Sequence, residues 1–293
     1  MAIRDIPWWA RIALKILFSR LPVSYGFWRK IGLFRHGEMN NPEKAIQTFE
    51  KYFERAQSYG LTPTNFSSLE LGPGDSILSA IVAKAYGARN VMLLDAGKFA
   101  DSDIDGCKNV VKLLEQKGIK APDLSNAKNL ENVLDKVSAT YLTSGTESLK
   151  DIPAKSIDFF WSQVVFEHIP RGEFMLFLKS LRRIVSDEAV GVHSIDFRDH
   201  LGGSLNNLRI SEKIWESNFF SSSGFYTNRI RPNEMLLYFK RAGFDVEVID
   251  QTYWPQIPTK RKYFAKQFQE MAEESFLVSE IEVILKPSKN YKE

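Results

Sequence analysis

The sequence predicts an α/β protein: a doubly wound, mostly parallel seven-stranded sheet with an N-terminal helical cap and an insertion after strand five. Three observations carry this. From residue 67 short apolar runs alternate with segments of helical periodicity, the pattern of a parallel sheet with crossover helices. The first run leads directly into a glycine turn, Gly72-Pro73-Gly74, and then into a helical stretch from Ile77 to Tyr86. The last run, Phe276 to Leu285, alternates apolar and polar residues, as an antiparallel strand does.

A chain of 293 residues holds one large domain or a core domain with additions. The expected division is a cap over residues 1–60 and a main domain over 61–293, with 196–232 inserted on the substrate side. The single cysteine, Cys107, excludes an internal disulfide framework and a multi-cysteine metal site, and no metal is expected. It lies in a helical pattern, where a buried thiol is the default. A cytoplasmic location is expected. Net charge is +3, unevenly spread: Arg4, Arg11, Lys15, Arg20, Arg29, Lys30 and Arg35 face only Asp5 within residues 1–36. The remainder has no basic excess, so nucleic acid is not an expected partner.

The N-terminal asymmetry has two readings. Pro7 can open a helix and Pro22 stop it, with Trp8, Trp9, Ile12, Leu14, Ile16, Leu17 and Phe18 between them. The uncharged run is too short to span a bilayer and lacks a signal-peptide pattern. Residues 7–22 either lie peripherally on the inner face of the membrane or pack on the protein or a second subunit. Oligomeric state stays open.

Further along, Asn41 caps a helix that opens at Pro42 and runs through Ile46, Phe49, Tyr52 and Phe53. Strand one spans 67–72, its helix 76–86, strand two 90–95. Ile104 to Gln116 is helical and closes at Gly118. Ala127 to Val137 is a further helix and Ala139 to Ser144 the third strand. Ser156 to Gln163 holds the fourth strand, Phe174 to Val185 an amphipathic helix, and Ala189 to Ile195 the fifth strand. After a polar stretch with a short helix capped by Ser211, Pro232 to Ala242 is helical with Gly243 as its cap. Phe244 to Asp250 is the sixth strand.

The glycine turn carries the function. Gly72 and Gly74 let the backbone turn sharply and a ligand approach. A dinucleotide site wants a third glycine near position 77, where Ile77 stands, and Glu70 precedes the first glycine. Glu-x-Gly-x-Gly after a strand resembles the first motif of class I S-adenosylmethionine (SAM)-dependent methyltransferases, with their Rossmann-like fold. Asp95, ending strand two, is placed to accept both hydroxyls of a ribose, with Ala96 beside it. Asp158 opening an apolar strand and Glu167-His168 after its end resemble the fourth-strand motif of the same family. The resemblance implies SAM as cofactor, held by Glu70, Gly72, Pro73, Gly74, Asp95, Ala96, Thr146, Ser162, Gln163 and His168. Thr146 stands where the family commonly has an acid for the adenine amine, so that contact passes to Ser144, Glu147 or backbone. The helix ahead of strand one would act as a lid, with Arg35 and His36 near the SAM carboxylate. His168 is expected as a structural wall beside the cofactor.

An alcohol acceptor needs a general base. His193, Asp196 and His200 are the candidates, Asp196 and His200 being four residues apart and able to pair if the chain turns helically there. Arg209, Arg229 and Arg231 could bind an anionic or sugar-phosphate substrate. Phe34-Arg35-His36-Gly37 and the Asp196–Arg231 region resemble, more weakly, a bacterial group associated with surface glycans. The expected reaction is O-methylation of a sugar or small metabolite. Its rivals are methylation of a membrane-embedded lipid and a non-catalytic SAM-binding scaffold.

Overall fold

The structure is a computed structural model that describes residues 7–10, 12, 39–100 and 103–291. Asn41 accepts a hydrogen bond from the Lys44 amide (3.1 Å) and starts α1, Pro42–Ser58. Capping is what a short polar side chain at this position supplies. Beyond α1 come β1 (Phe66–Leu71), α2 (Leu78–Ala85), β2 (Ala88–Leu94), α3 (Ile104–Gln116), α4 (Leu130–Lys136) and β3 (Ala139–Leu142). Then follow β4 (Ile157–Gln163), α5 (Arg171–Ile184), β5 (Val185–Asp196), α6 (Pro232–Arg241), β6 (Phe244–Tyr253) and β7 (Val278–Pro287).

The seven strands lie in the order β3-β2-β1-β4-β5-β7-β6. β1 to β5 pair in parallel, and β7 runs antiparallel to both its neighbours. The predicted doubly wound, mostly parallel sheet is therefore present. The order reverses between β1 and β4, which opens a crevice at the C-terminal ends of the strands.

Alternation along the strands builds both layers. Phe159 and Trp161 join the core shared with α1, α2, α3 and α4. Phe160, between them, joins the core under α5 and α6. α1 is part of the first of these cores, since Phe49 stacks on Phe53 (5.4 Å) and meets Phe159 (6.1 Å) and Trp161 (6.2 Å) edge-on. Its outer edge is tied to β7, where Glu282 pairs with Lys51 (2.8 Å) and Arg55. Cys107 is buried, as expected, and burial pushes its thiol up to about 12.

Several boundaries move from expectation, two of them for a plain reason. The α4 segment begins at Leu130 because the Asn129 side chain caps it there. β5 starts at Val185, directly from the end of α5, so it is longer than the apolar run alone predicts. The segment between β6 and β7 is also structured: short helical turns at Arg261–Tyr263, Lys266–Gln269 and Glu274–Leu277 pack Phe264, Phe268 and Phe276 against Leu205 and Leu208 of the insertion.

Of the N-terminal segment, Trp8 and Ile12 pack against Leu201, Trp215, Phe225 and Tyr226, while Trp9 is 61% exposed. Arg35, His36 and residues 13–22 lie outside the described residues. Among the described residues no helix is long and apolar enough to cross a membrane.

Phe49→Ala should remove the ring that joins α1 to β4 and lower stability by about 3–5 kcal/mol. The exposed Leu176, changed to Ala, should shift it by less than about 0.5 kcal/mol. Urea unfolding of both variants checks this; equal losses would contradict the packing.

Candidate active site

The ends of β1, β2 and β3 are stitched together around one residue. Gly72 donates its N–H to the Leu94 carbonyl (2.8 Å), Asp95 to the Leu142 carbonyl (2.9 Å), and Gly145 to the Asp95 carbonyl (2.8 Å). The Asp95 carboxylate then accepts the N–H of Gly74 (2.9 Å) and of Ala96 (2.7 Å). Gly72 and Gly74 have φ of 67° and 65°, left-handed values that a side chain disfavours. Space is a second constraint: a Cβ on Gly72 would lie 2.6 Å from Val165 Cγ2. The turn is thus held to bare backbone facing the crevice. Ala96 and Gly145 approach closely, a Cβ on Gly145 falling 3.7 Å from the Ala96 Cα, with half-buried Thr146 next in sequence.

This set fits the cofactor implied by the sequence. A carboxylate at the end of β2 suits a ribose diol, and the bare turn suits close approach of a ligand. Glu70 sits beneath the turn, fully buried, and takes a hydrogen bond from the Ser79 hydroxyl. Desolvation, with the nearby Asp95 charge adding to it, pushes its carboxyl up to about 8. Glu70 is a buried acid under the cradle rather than a group facing the crevice. At the end of β4, Ser162 is buried and bonded to His193 Nδ1 (2.8 Å), whereas Gln163 is exposed. The next residue, Val164, has φ of 51°. A β-branched residue there is strained, and such strain clusters at functional sites.

The expected base group separates. His193 is fully buried, packed between Phe160 (5.1 Å) and Phe166 (4.7 Å). Burial pushes its imidazole down to about 3, so it is a neutral core residue and does not meet an acceptor. The Asp196–His200 pair is not formed either. Residues 197–200 are not helical, because the Asp199 carboxylate collects the amides of Leu201, Ser204 and Asn206 and knots the loop. Asp196 instead accepts Arg198 Nε (2.8 Å).

His200 meets His168, ring to ring at 4.7 Å and 63°. His168 Nδ1 lies 3.0 Å from the Tyr226 carbonyl. A carbonyl only accepts, so Nδ1 carries a proton, and in the neutral tautomer Nε2 is the basic nitrogen. The segment bearing His168 is clasped by the insertion: Asn228 donates to the carbonyls of Glu167 (2.7 Å), Phe166 (2.8 Å) and Ile169 (3.0 Å). Glu167 itself was not among the expected site residues. It is buried, accepts the Asp196 amide (3.2 Å), and has one carboxyl oxygen without a partner among the described residues. Desolvation, with Asp196 adding to it, raises its carboxyl well above the ordinary range. An acid directly after the apolar run Val164-Val165-Phe166 was the available signal.

The three arginines differ. Arg231 is buried and gives its guanidinium to the carbonyls of Phe197 (3.0 Å), Ser275 (2.9 Å) and Val278 (3.1 Å). Arg229 lies between the rings of Trp215 (5.3 Å) and Phe268 (5.2 Å) and bonds the Ile210 carbonyl (2.6 Å). Both are internal fasteners of the insertion, a correction to their expected substrate role, since their donors serve the fold. Arg209 alone of the three is half-buried.

No protein-family model matches the chain, and no curated protein does. Among solved structures it is similar to a putative sarcosine dimethylglycine methyltransferase from Galdieria sulphuraria, with 12% identity and a TM-score of 0.47 over 94% of this chain and 98% of that one. It is also similar to the YcgJ protein of Bacillus subtilis (10%, 0.45, 85% and 100%). A third is an S-adenosylmethionine-dependent methyltransferase from Mesorhizobium loti (15%, 0.42, 79% and 95%). At these identities and TM-scores the likeness assigns neither activity nor substrate.

The buried Glu70 makes stability depend on pH. The folded state holds its proton up to about pH 8, whereas the unfolded chain releases it near pH 4.3. Its contribution is therefore fully present below about pH 4 and lost as pH rises through about 8. Glu70→Gln should unfold at the wild-type midpoint at pH 4.5 and at a higher one at pH 9. Thermal unfolding across this range checks it, and a parallel pH profile for both proteins would contradict it.

Proposed function

We propose that the chain is a SAM-dependent methyltransferase acting on a hydroxyl of a sugar or other small metabolite. The observation that carries this is Asp95, a carboxylate at the end of β2 held against the left-handed Gly72–Gly74 turn, beside the point where strand order reverses. Asp95 would hold the ribose, Gly72, Pro73 and Gly74 would line the approach, and Ala96 and Thr146 would flank the adenine. When bound, SAM supplies a methyl carbon made electrophilic by its sulfonium. The chain's own contribution is to orient the acceptor and remove its proton.

The group best suited to that proton is Nε2 of His168, since its Nδ1–H is committed to the Tyr226 carbonyl. His200, in contact with it, would help position the ring. The same chemistry on a lipid-borne hydroxyl is a second reading, favoured by exposed Trp9, Ile214 and Phe219 on segments joined to the aromatic cluster of the insertion.

Asp95→Ala should weaken SAM binding roughly tenfold or more, the effect of losing charge-assisted hydrogen bonds. His168→Ala should leave that affinity intact and lower transfer of a labelled methyl group to hydroxyl acceptors by roughly 10²-fold. Calorimetry and methyl-transfer assays over a panel of glycosides and small alcohols read both. Unchanged SAM affinity in a folded Asp95→Ala variant would remove the proposal.

A further inference from the structure

Arg209 is unusual among the charged residues of the insertion. Its guanidinium lies over the ring of Trp8 (5.0 Å) on one contact and of Tyr263 (4.7 Å) on another. Its Nε is buried with no hydrogen-bond partner, and no carboxylate pairs with the side chain among the described residues. Every neighbouring arginine is engaged. Arg229 bonds carbonyls and Glu216, Arg231 bonds only carbonyls, and Arg261 bonds the carbonyls of Gln269 and Met271. A second cation joins Arg209 at the same ring, for Lys262 Nζ lies 5.2 Å from the centre of Tyr263. Lys262 is exposed and also lacks a carboxylate partner among the described residues.

Two cations on one aromatic ring repel each other. Cation–π contact offsets only part of that. The arrangement is completed by an anion with several oxygens: a guanidinium binds such a group through a fork of N–H donors, and an ammonium adds a point charge. Three distant segments build the frame, the N-terminal Trp8, Arg209 of the insertion, and Lys262-Tyr263 between β6 and β7. The aromatic faces suit a sugar ring or another flat, weakly polar body next to the anion.

We infer that Arg209 and Lys262, framed by Trp8 and Tyr263, form a binding site for a phosphoryl group carried by the acceptor. This rests on the methyltransferase reading only in assigning the phosphoryl group to the acceptor. The group belongs either to a soluble sugar phosphate or to a lipid headgroup, chemistry that the two cations recognise alike.

The test uses the full chain and two phosphoryl probes at low salt. Glucose 1-phosphate, with glucose as the uncharged control, is titrated by calorimetry. Vesicles of phosphatidylglycerol are compared with vesicles of phosphatidylcholine by co-sedimentation. At least one phosphoryl probe should bind in a salt-sensitive way, and which one binds identifies the source. Arg209→Gln should weaken that binding by roughly tenfold or more and Lys262→Gln by several-fold, with Arg209→Lys between wild type and Arg209→Gln. S-adenosylhomocysteine affinity should be unchanged in all three. If wild type binds the phosphoryl probe but not S-adenosylhomocysteine, the anion site stands and the methyltransferase reading falls. If neither phosphoryl probe binds wild type, or Arg209→Gln and Lys262→Gln bind as wild type does, the inference is overturned. Should Arg209→Gln lose cooperative unfolding, the exposed Lys262→Gln decides alone.

Discussion

Asp95 is the residue on which the ligand edge depends. Its amide, carbonyl and carboxylate reach β3, the loop after β3, and the glycine turn after β1. The turn can take this position only because Gly72 and Gly74 adopt left-handed φ and Val165 closes the space a side chain would need. The knot also governs charge. Burial leads Glu70 to hold its proton, and the Asp95 charge adds to the effect. The Asp95 carboxylate, bonded to the Gly74 and Ala96 amides, is thus the acid at the edge of the cradle, with Glu70 buried behind it.

Around the cradle, the insertion is organised by side chains whose sequence positions suggested ligand binding. Arg229 and Arg231 reach backbone carbonyls left unpaired by irregular loops, and a buried loop must satisfy such groups. Asp199 does the same for three amides. Their charges stabilise a wall, and the clasp of Asn228 on the Phe166–Ile169 segment fixes where His168 stands. Rigid support of this kind is what the proton acceptor proposed above would require.

The sheet was legible because its signals are local. Asn41-Pro42 marks a helix start, Gly118 and Gly243 mark helix ends with φ of 76° and 91°, and alternation separates β7 from the parallel strands. The cradle was legible for the same reason, since Gly72, Gly74 and Asp95 sit at strand ends that periodicity locates. The base was not. β5 is buried on both faces, so alternation gave no sign that His193 points into the core. The pairing of His168 with His200, like the use of Arg231 by Ser275 and Val278, joins residues tens of positions apart. No local pattern encodes such contacts. The turns between β6 and β7 escaped for a related reason: their helices are four residues or fewer, too short to show a period.

β7 lies between β5 and β6, although it follows both in the chain. A ribosome emitting this sequence therefore releases β5, with its run of Val190, Val192 and Ile195, long before its antiparallel neighbour exists. Until residues 278–287 emerge, that edge is an open template for stray strands. The nascent protein completes its glycine cradle early and must keep a half-built sheet soluble until the last strand slides into the gap. Late closure of this kind places the chain's most aggregation-prone interval during synthesis, before β7 covers the edge.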